Sequence, residues 1–241
     1  MNKKLSHAYL FGLLGICSTQ AIAFDVKQVG QLSQTEFKAL GEDLSAMMSY
    51  KPMIPAADLG ITGFDVGISV NGTKISNKEA LKEAAGGASI PTVIPMVAVR
   101  AAKGLPLGIN IGASYSNLPG TPFSAVGGEL RWAALPGSVV MPAVSLRLSM
   151  SKSVGIDELS TKSTGFDVSV SKGFTLLTPY AGIGRVSTKV KASGTNLSEE
   201  SIGQTKLFGG LNANLGLMNL AVEADRTGST NTYGMKLGVR F

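Results

Sequence analysis

The chain is a succession of short segments in which apolar and polar residues alternate. In the last, "YGMKLGVRF" (233–241), Tyr233, Met235, Leu237, Val239 and Phe241 share one parity, and Gly234, Lys236, Gly238 and Arg240 share the other. A period of two is that of a β-strand with one apolar and one polar face. The pattern recurs in "ITGFDVGISV" (61–70), "PLGINIGASYSN" (106–117), "SAVGGELRWAA" (124–134) and "VVMPAVSLRLSM" (139–150). It continues in "TGFDVSVSK" (164–172), "TKLFGGLNANLG" (205–216) and "MNLAVEAD" (218–225). Two less regular segments, 91–102 and 175–189, bring the predicted strands to ten. Pro95, Pro142 and Pro179 each fall early in a segment on the apolar parity. A proline cannot donate to a ladder, so each predicts a strand start or a bulge.

The connections predict how the strands are arranged. Tight links, "KGLP" (103–106), "LPGS" (135–138), "KG" (172–173) and "LGL" (215–217), alternate with a short "LPGT" (118–121) and with longer ones at 71–90, 153–160, 191–203 and 226–231. An up-and-down meander with short turns at one end and longer loops at the other has this rhythm, as transmembrane barrels do. In lipid every backbone N–H and C=O must be satisfied internally, so such a sheet closes on itself. The predicted fold is therefore all-β: a closed antiparallel up-and-down transmembrane β-barrel of about ten strands, with eight or twelve as the alternatives. The apolar parity faces acyl chains and the polar parity faces the lumen. Lumen charges would then be Asp65, Glu129, Asp167, Glu223 and Asp225 against Arg100, Arg131, Arg147, Lys206, Lys236 and Arg240. Buried charges need partners, so an ion-pair network is the first reading and a charge-selective constriction the second. Arg185 faces lipid if the parity of Leu177 and Ile183 persists, unless a bulge or a headgroup-level position accommodates it.

The start of the chain suits export. "MNKKLSHAYLFGLLGICSTQAIAF" carries Lys3 and Lys4, a short apolar stretch and Ala21-Ile22-Ala23, the pattern of a signal peptide cleaved near Ala23. A lipoprotein signal at Cys17 is the weaker alternative, because Ile16 occupies a position that wants a small residue. Cleavage removes His7 and Cys17, the only histidine and cysteine, together with two lysines. The balance becomes 22 − 2 = 20 basic against 16 acidic residues, or +4. Thirty glycines fit many short strands joined by tight turns.

Residues 24–59 precede the barrel (60–241) as a separate segment. Ser33 and Glu36 form a capping-box pattern, and Phe37, Leu40, Leu44 and Met47 follow at helical spacing, which predicts a helix over 34–48. A helix resting on the periplasmic rim is preferred over a plug inside the barrel. Lumen-facing glycines (Gly67, Gly108, Gly112, Gly234, Gly238) would leave room for a plug, in which case Phe37, Leu40 and Leu44 should meet Gly108, Gly112 or neighbouring lumen residues.

An aromatic last residue on an alternating strand resembles the C-terminal signature of bacterial outer-membrane β-barrel proteins, carried here by Tyr233, Leu237, Val239 and Phe241. That resemblance implies recognition by the barrel assembly machinery and residence in the outer membrane of a Gram-negative bacterium. "LGITGFDVGISV" and "SKGFTLLTPYAGIGRV" also resemble a proteobacterial barrel family, and this likeness implies no activity. Barrel enzymes of that membrane generally rely on a histidine whose pKa lies near working pH. The chain after cleavage has none, so catalysis, a cofactor and a metal are not expected. Basic loop residues (Lys74, Lys78, Lys82, Lys152, Lys162, Lys189, Lys191 and Arg226) would meet lipopolysaccharide phosphates or simply be solvated. Export excludes nucleic acid as a partner. The expected function is a narrow passive channel for a small solute or hydrophobic molecule; the alternative is a non-conducting structural, adhesive or envelope-interaction barrel.

Overall fold

The computed structural model describes residues 28–241, so the leader and its cleavage near Ala23 lie outside the described residues. Ten strands form: β1 (Phe64–Lys74), β2 (Val93–Gly104), β3 (Ile109–Asn117), β4 (Ser124–Leu135) and β5 (Ala143–Val154). They continue as β6 (Leu159–Ser171), β7 (Leu177–Ala192), β8 (Glu200–Leu215), β9 (Met218–Thr227) and β10 (Thr230–Arg240). Each pairs antiparallel with its neighbours in sequence, and β10 returns to β1, so the barrel is closed. At that seam the Phe64 and Phe241 main chains exchange two hydrogen bonds of 3.0 Å, and their rings stack at 6.0 Å between centroids.

One end of the barrel, the base, holds the start of β1 and the end of β10. The opposite end, the crown, carries the longest connection (75–92), which contains α2 (Lys78–Ala84). That short helix was not legible in the sequence: its charges Lys78, Glu79, Lys82 and Glu83 mask an apolar face of Ala80, Leu81 and Ala84, which is buried. The expectation that the tight turns share one end needs correcting. The β9–β10 link at the crown is only residues 228–229, while the β4–β5 link at the base runs 136–142. Much of the stretch read as a loop at 191–203 is hairpin, since β7 runs to Ala192 and β8 begins at Glu200.

The prolines sit before a strand or at the end of a ladder. Pro142 precedes β5, Pro95 pairs with Gly72 before the β2–β3 ladder begins at Val97, and Pro179 pairs with Leu211 beyond the end of the β6 ladder at Tyr180. No bulge occurs at any of them; the register shift between β4 and β5 is at Trp132/Leu135. The missing N–H of Pro95 therefore falls where β3 is not yet paired, whereas Pro179 still accepts the Lys172 N–H at 3.1 Å and only its return bond is lost.

Outside, the wall presents Val66, Ile68, Leu130, Leu148, Ile183 and Leu207 in alternation with inward residues. Aromatic residues flank this band: Phe64, Trp132 and Phe241 toward the base, Tyr115 and Tyr233 toward the crown, all outward. An apolar belt between two aromatic girdles is the surface a bilayer solvates. No described helix is long and apolar enough to cross a membrane.

Near the crown the polarity of the wall inverts. There Ile94, Met96, Val190 and Ile202 point inward and are buried, while Lys189, Lys191 and Ser201 point outward. An apolar lining needs an apolar guest. The guest is the N-terminal segment.

Candidate functional site: the occupied lumen

Helix α1 (Gln34–Met48) lies inside the barrel at the crown end, not on the periplasmic rim. This corrects the preferred expectation. The helix begins at the capping box read from the sequence, where the Ser33 hydroxyl accepts from the Glu36 N–H and the Glu36 carboxylate accepts from the Ser33 N–H at 2.8 Å. Its face of Phe37, Leu40 and Leu44 packs into one buried cluster with Leu81 of α2 and with Ile94, Leu118, Leu159, Val190 and Ile202 of the wall. Burying three such side chains contributes about 1.5–3 kcal/mol each. Gly41 brings the helix against the wall, since a Cβ there would strike Ile202 Cδ1. Asp43 anchors the crown loop by accepting from the Ser76 and Asn77 N–H groups at 3.0 and 2.7 Å and from the Thr230 hydroxyl at 2.8 Å.

From α1 the chain descends the lumen to the base without regular secondary structure, touching the wall at successive depths. Met48 O accepts from the Ser151 hydroxyl, Tyr50 O from Lys206, Lys51 O from Arg100 and Pro55 O from Arg131. The Met53 N–H donates to Glu223 at 2.8 Å, the Ala56 N–H to the Ser171 hydroxyl at 3.0 Å and the Leu59 N–H to Asn110 at 3.0 Å. Such a stretch leaves its main-chain groups unpaired along its length, and a closed barrel offers no free ladder edge. Wall side chains take that role.

All eleven residues named as lumen charges point inward, and all are buried, Arg240 less completely than the others. They divide into groups. Asp65 takes Lys236 at 2.7 Å and Arg240 at 2.7 Å beside the β1–β10 seam. Arg147 lies between Glu129 at 3.2 Å and Asp167 at 3.6 Å. Asp225 pairs at 2.8 Å with Lys51 of the segment itself, a cation that the sequence did not place in the lumen. Glu223 accepts from the Tyr180 hydroxyl as well as from Met53. Arg100, Arg131 and Lys206 do not pair with wall carboxylates in this way; they donate to the segment's carbonyls, and Arg100 also lies 4.9 Å above the Tyr50 ring. Arg131 is fully excluded from solvent.

The lumen glycines are used, though not as expected. Gly108 belongs to a turn with φ of 72°, not to the lumen. Phe37, Leu40 and Leu44 meet neither it nor Gly112, being at the other end. The descending stretch uses such space instead: Met53 Cε and Asn71 occupy the place of a Cβ on Gly234, and Tyr50 crosses Gly127. Between the segment and the wall, a cavity of about 40 Å³ near Tyr50 and Arg100 has room for about one water. A wider recess of about 370 Å³ opens at the base beside Asp58, Ser171, Asn214 and Arg240. Among the described residues no group of three or more histidine, cysteine, aspartate or glutamate residues could hold a metal ion.

Tyr233, Leu237, Val239 and Phe241 face outward on β10, with Phe241 63% exposed. Arg185 also faces outward, and no bulge intervenes: β7 keeps continuous register with β6 and β8. An arginine on the lipid side costs about 2–4 kcal/mol at the bilayer midplane and about 0–1 near the interfaces.

No protein-family model matches the chain, and no curated protein matches it. Among solved structures, the N-terminal β-barrel domain of Pseudomonas aeruginosa OprF is similar over 73% of this chain and 97% of its own, with 12% identity and a TM-score of 0.36. A KdgM porin bound to disordered oligogalacturonate is similar over 74% and 99%, with 8% identity and a TM-score of 0.38. The Acinetobacter baumannii outer membrane protein Omp33 is similar over 76% and 100%, with 7% identity and a TM-score of 0.29. No activity follows from likeness at this level.

Proposed function

We propose that the protein is an outer-membrane β-barrel closed by its own N-terminal segment, and that it serves as a non-conducting envelope barrel rather than as an open channel. The observation that carries this reading is the path of residues 34–59, which occupy the lumen from crown to base and take hydrogen bonds or ion pairs from the wall at each level. The outward apolar belt with its two girdles supports a bilayer as the surroundings. Both barrel ends of the chain at the base, and the longest connection at the crown, support a periplasmic base and an outward crown.

Passive passage of a small solute, the function favoured by the sequence, would require the segment to leave. Full-length protein in planar bilayers should carry no steady current. A variant lacking 34–59 should open steps whose size matches a ten-strand lumen. Steady conductance by the full-length protein would overturn the reading and restore passage.

A further inference from the structure

The outward faces of β5, β6 and β7 below the crown carry more cations than the carboxylates paired with them. Strand register sets Lys152 opposite Lys162, and Lys162 opposite Lys189, so three lysines stand abreast on adjacent strands. All three are exposed. Like charges directly opposite each other destabilise an antiparallel pair. Lys189 reaches Glu199 at 3.7 Å, but among the described residues Lys152 and Lys162 form no ion pair. Thr164 and Ser187, also opposite each other and outward, add two hydroxyls one row nearer the base.

Arg185 completes the set. It stands four residues below Lys189 on β7, about 13 Å along the strand. Its ladder row is otherwise Leu148, Phe166 and Thr205, so the guanidinium enters the upper edge of the apolar belt. It lies across Gly203, where a Cβ would come within 3.0 Å of Arg185 Nη2, and among the described residues it has no carboxylate partner. A guanidinium at that depth needs an anion whose own body belongs in lipid.

From this juxtaposition we infer a binding site, formed by Lys152, Lys162, Arg185 and Lys189, for the phosphates of a multiply acylated glycolipid of the outer leaflet. The inference rests on the outer-membrane reading above. Two tiers of cations on one face suit a disaccharide with a phosphate at each end better than the single phosphate of a glycerophospholipid. Arginine and lysine supply charge-assisted hydrogen bonds to phosphate oxygens. The acyl chains then lie on Leu148, Phe166 and Ile183 toward the base, which a soluble phosphate could not exploit.

The test uses full-length protein folded in detergent and titrated with diphosphorylated lipid A, read by native mass spectrometry. Dephosphorylated lipid A, phosphatidylglycerol and inorganic phosphate are titrated in parallel. Wild type should retain diphosphorylated lipid A, and Arg185→Gln and Lys152→Gln/Lys162→Gln should each weaken retention at least tenfold. The double variant changes only exposed side chains, so it decides the matter if Arg185→Gln fails to fold. Equal retention by the variants, equal retention of the dephosphorylated lipid, or displacement by millimolar inorganic phosphate would each overturn the site. Failure of the outer-membrane reading shows separately, as soluble periplasmic protein whose boiled and unboiled samples migrate alike on gels.

Discussion

Lys51 does the work of several side chains at one point of the lumen. Its ammonium pairs with Asp225 at 2.8 Å and also donates to Ala46 O and the Ser49 hydroxyl, at the bend where α1 gives way to the descending chain. Removing one partner of a buried pair leaves the other charged and unsolvated, at a cost of about 3–5 kcal/mol. Lys51→Ala should therefore lower the temperature at which the folded gel band converts to the unfolded one. Removing both partners, with Asp225→Asn added, should recover much of the loss. If the single substitution leaves the conversion temperature unchanged, the pair is not what holds the segment. Nothing in the alternation pointed to Lys51, because it lies between the helix predicted over 34–48 and the first strand. Asp225 was readable as a lumen charge, but only the folded path of residues 49–59 shows which cation it faces.

Elements were legible to the extent that their environment stayed constant along them. β1, β3, β9 and β10 keep the alternation along most of their length, and each was read to within a few residues of its observed limits, β1 running on to Lys74 through residues read as loop. In β7 and β8 the apolar residues switch from the outer to the inner face near the crown: Ile183 and Leu207 point out, Val190 and Ile202 point in. A strand that changes solvent partway looks like a strand followed by a loop. The same switch carried the missed signal for the plug, since an apolar inner lining at one end calls for an apolar occupant. The helix itself was legible from its cap. Ser33→Ala should destabilise the first turn of α1 by about 1 kcal/mol, seen as faster amide exchange at residues 34–38. Hydrogen bonds from the Ser33 side chain, then from its main chain, hold the Glu36 carboxyl below its ordinary value of 4.5. A group with a lowered pKa in the folded state adds stability that is complete above its unfolded value and is lost as pH falls through the folded one. Protection of that turn, corrected for intrinsic exchange, should fall below pH 4.5 in wild type and be flat in Glu36→Gln.

At the scale of the whole molecule, the topology places two distant parts of the chain at opposite ends of the barrel. Residues 28–33 lie at the crown, where the Gln28 N–H donates to Ala84 O and Gln34 meets Ser198, while the chain enters β1 at the base. On the proposed orientation, Gln31→Cys should react with a membrane-impermeant maleimide on intact cells. Labelling only after the outer membrane is permeabilised would reverse the orientation. Phe241 closes the seam with Phe64, yet the apolar area it buries is worth about 2 kcal/mol at most. Its deletion should reduce the yield of assembled barrel in cells several-fold while shifting the conversion temperature of the surviving barrel by a few degrees; normal yield would remove any part for Phe241 in assembly. The threaded path also decides how the protein would bear a mechanical load. Tension applied at the crown end of the segment would first break lumen contacts one after another and uncoil α1. Going from about 1.5 Å to about 3.4 Å per residue, its fifteen residues release roughly 28 Å of slack before any force reaches β1. The barrel wall would thus be shielded from a pull at the cell surface by an extensible tether wound inside it.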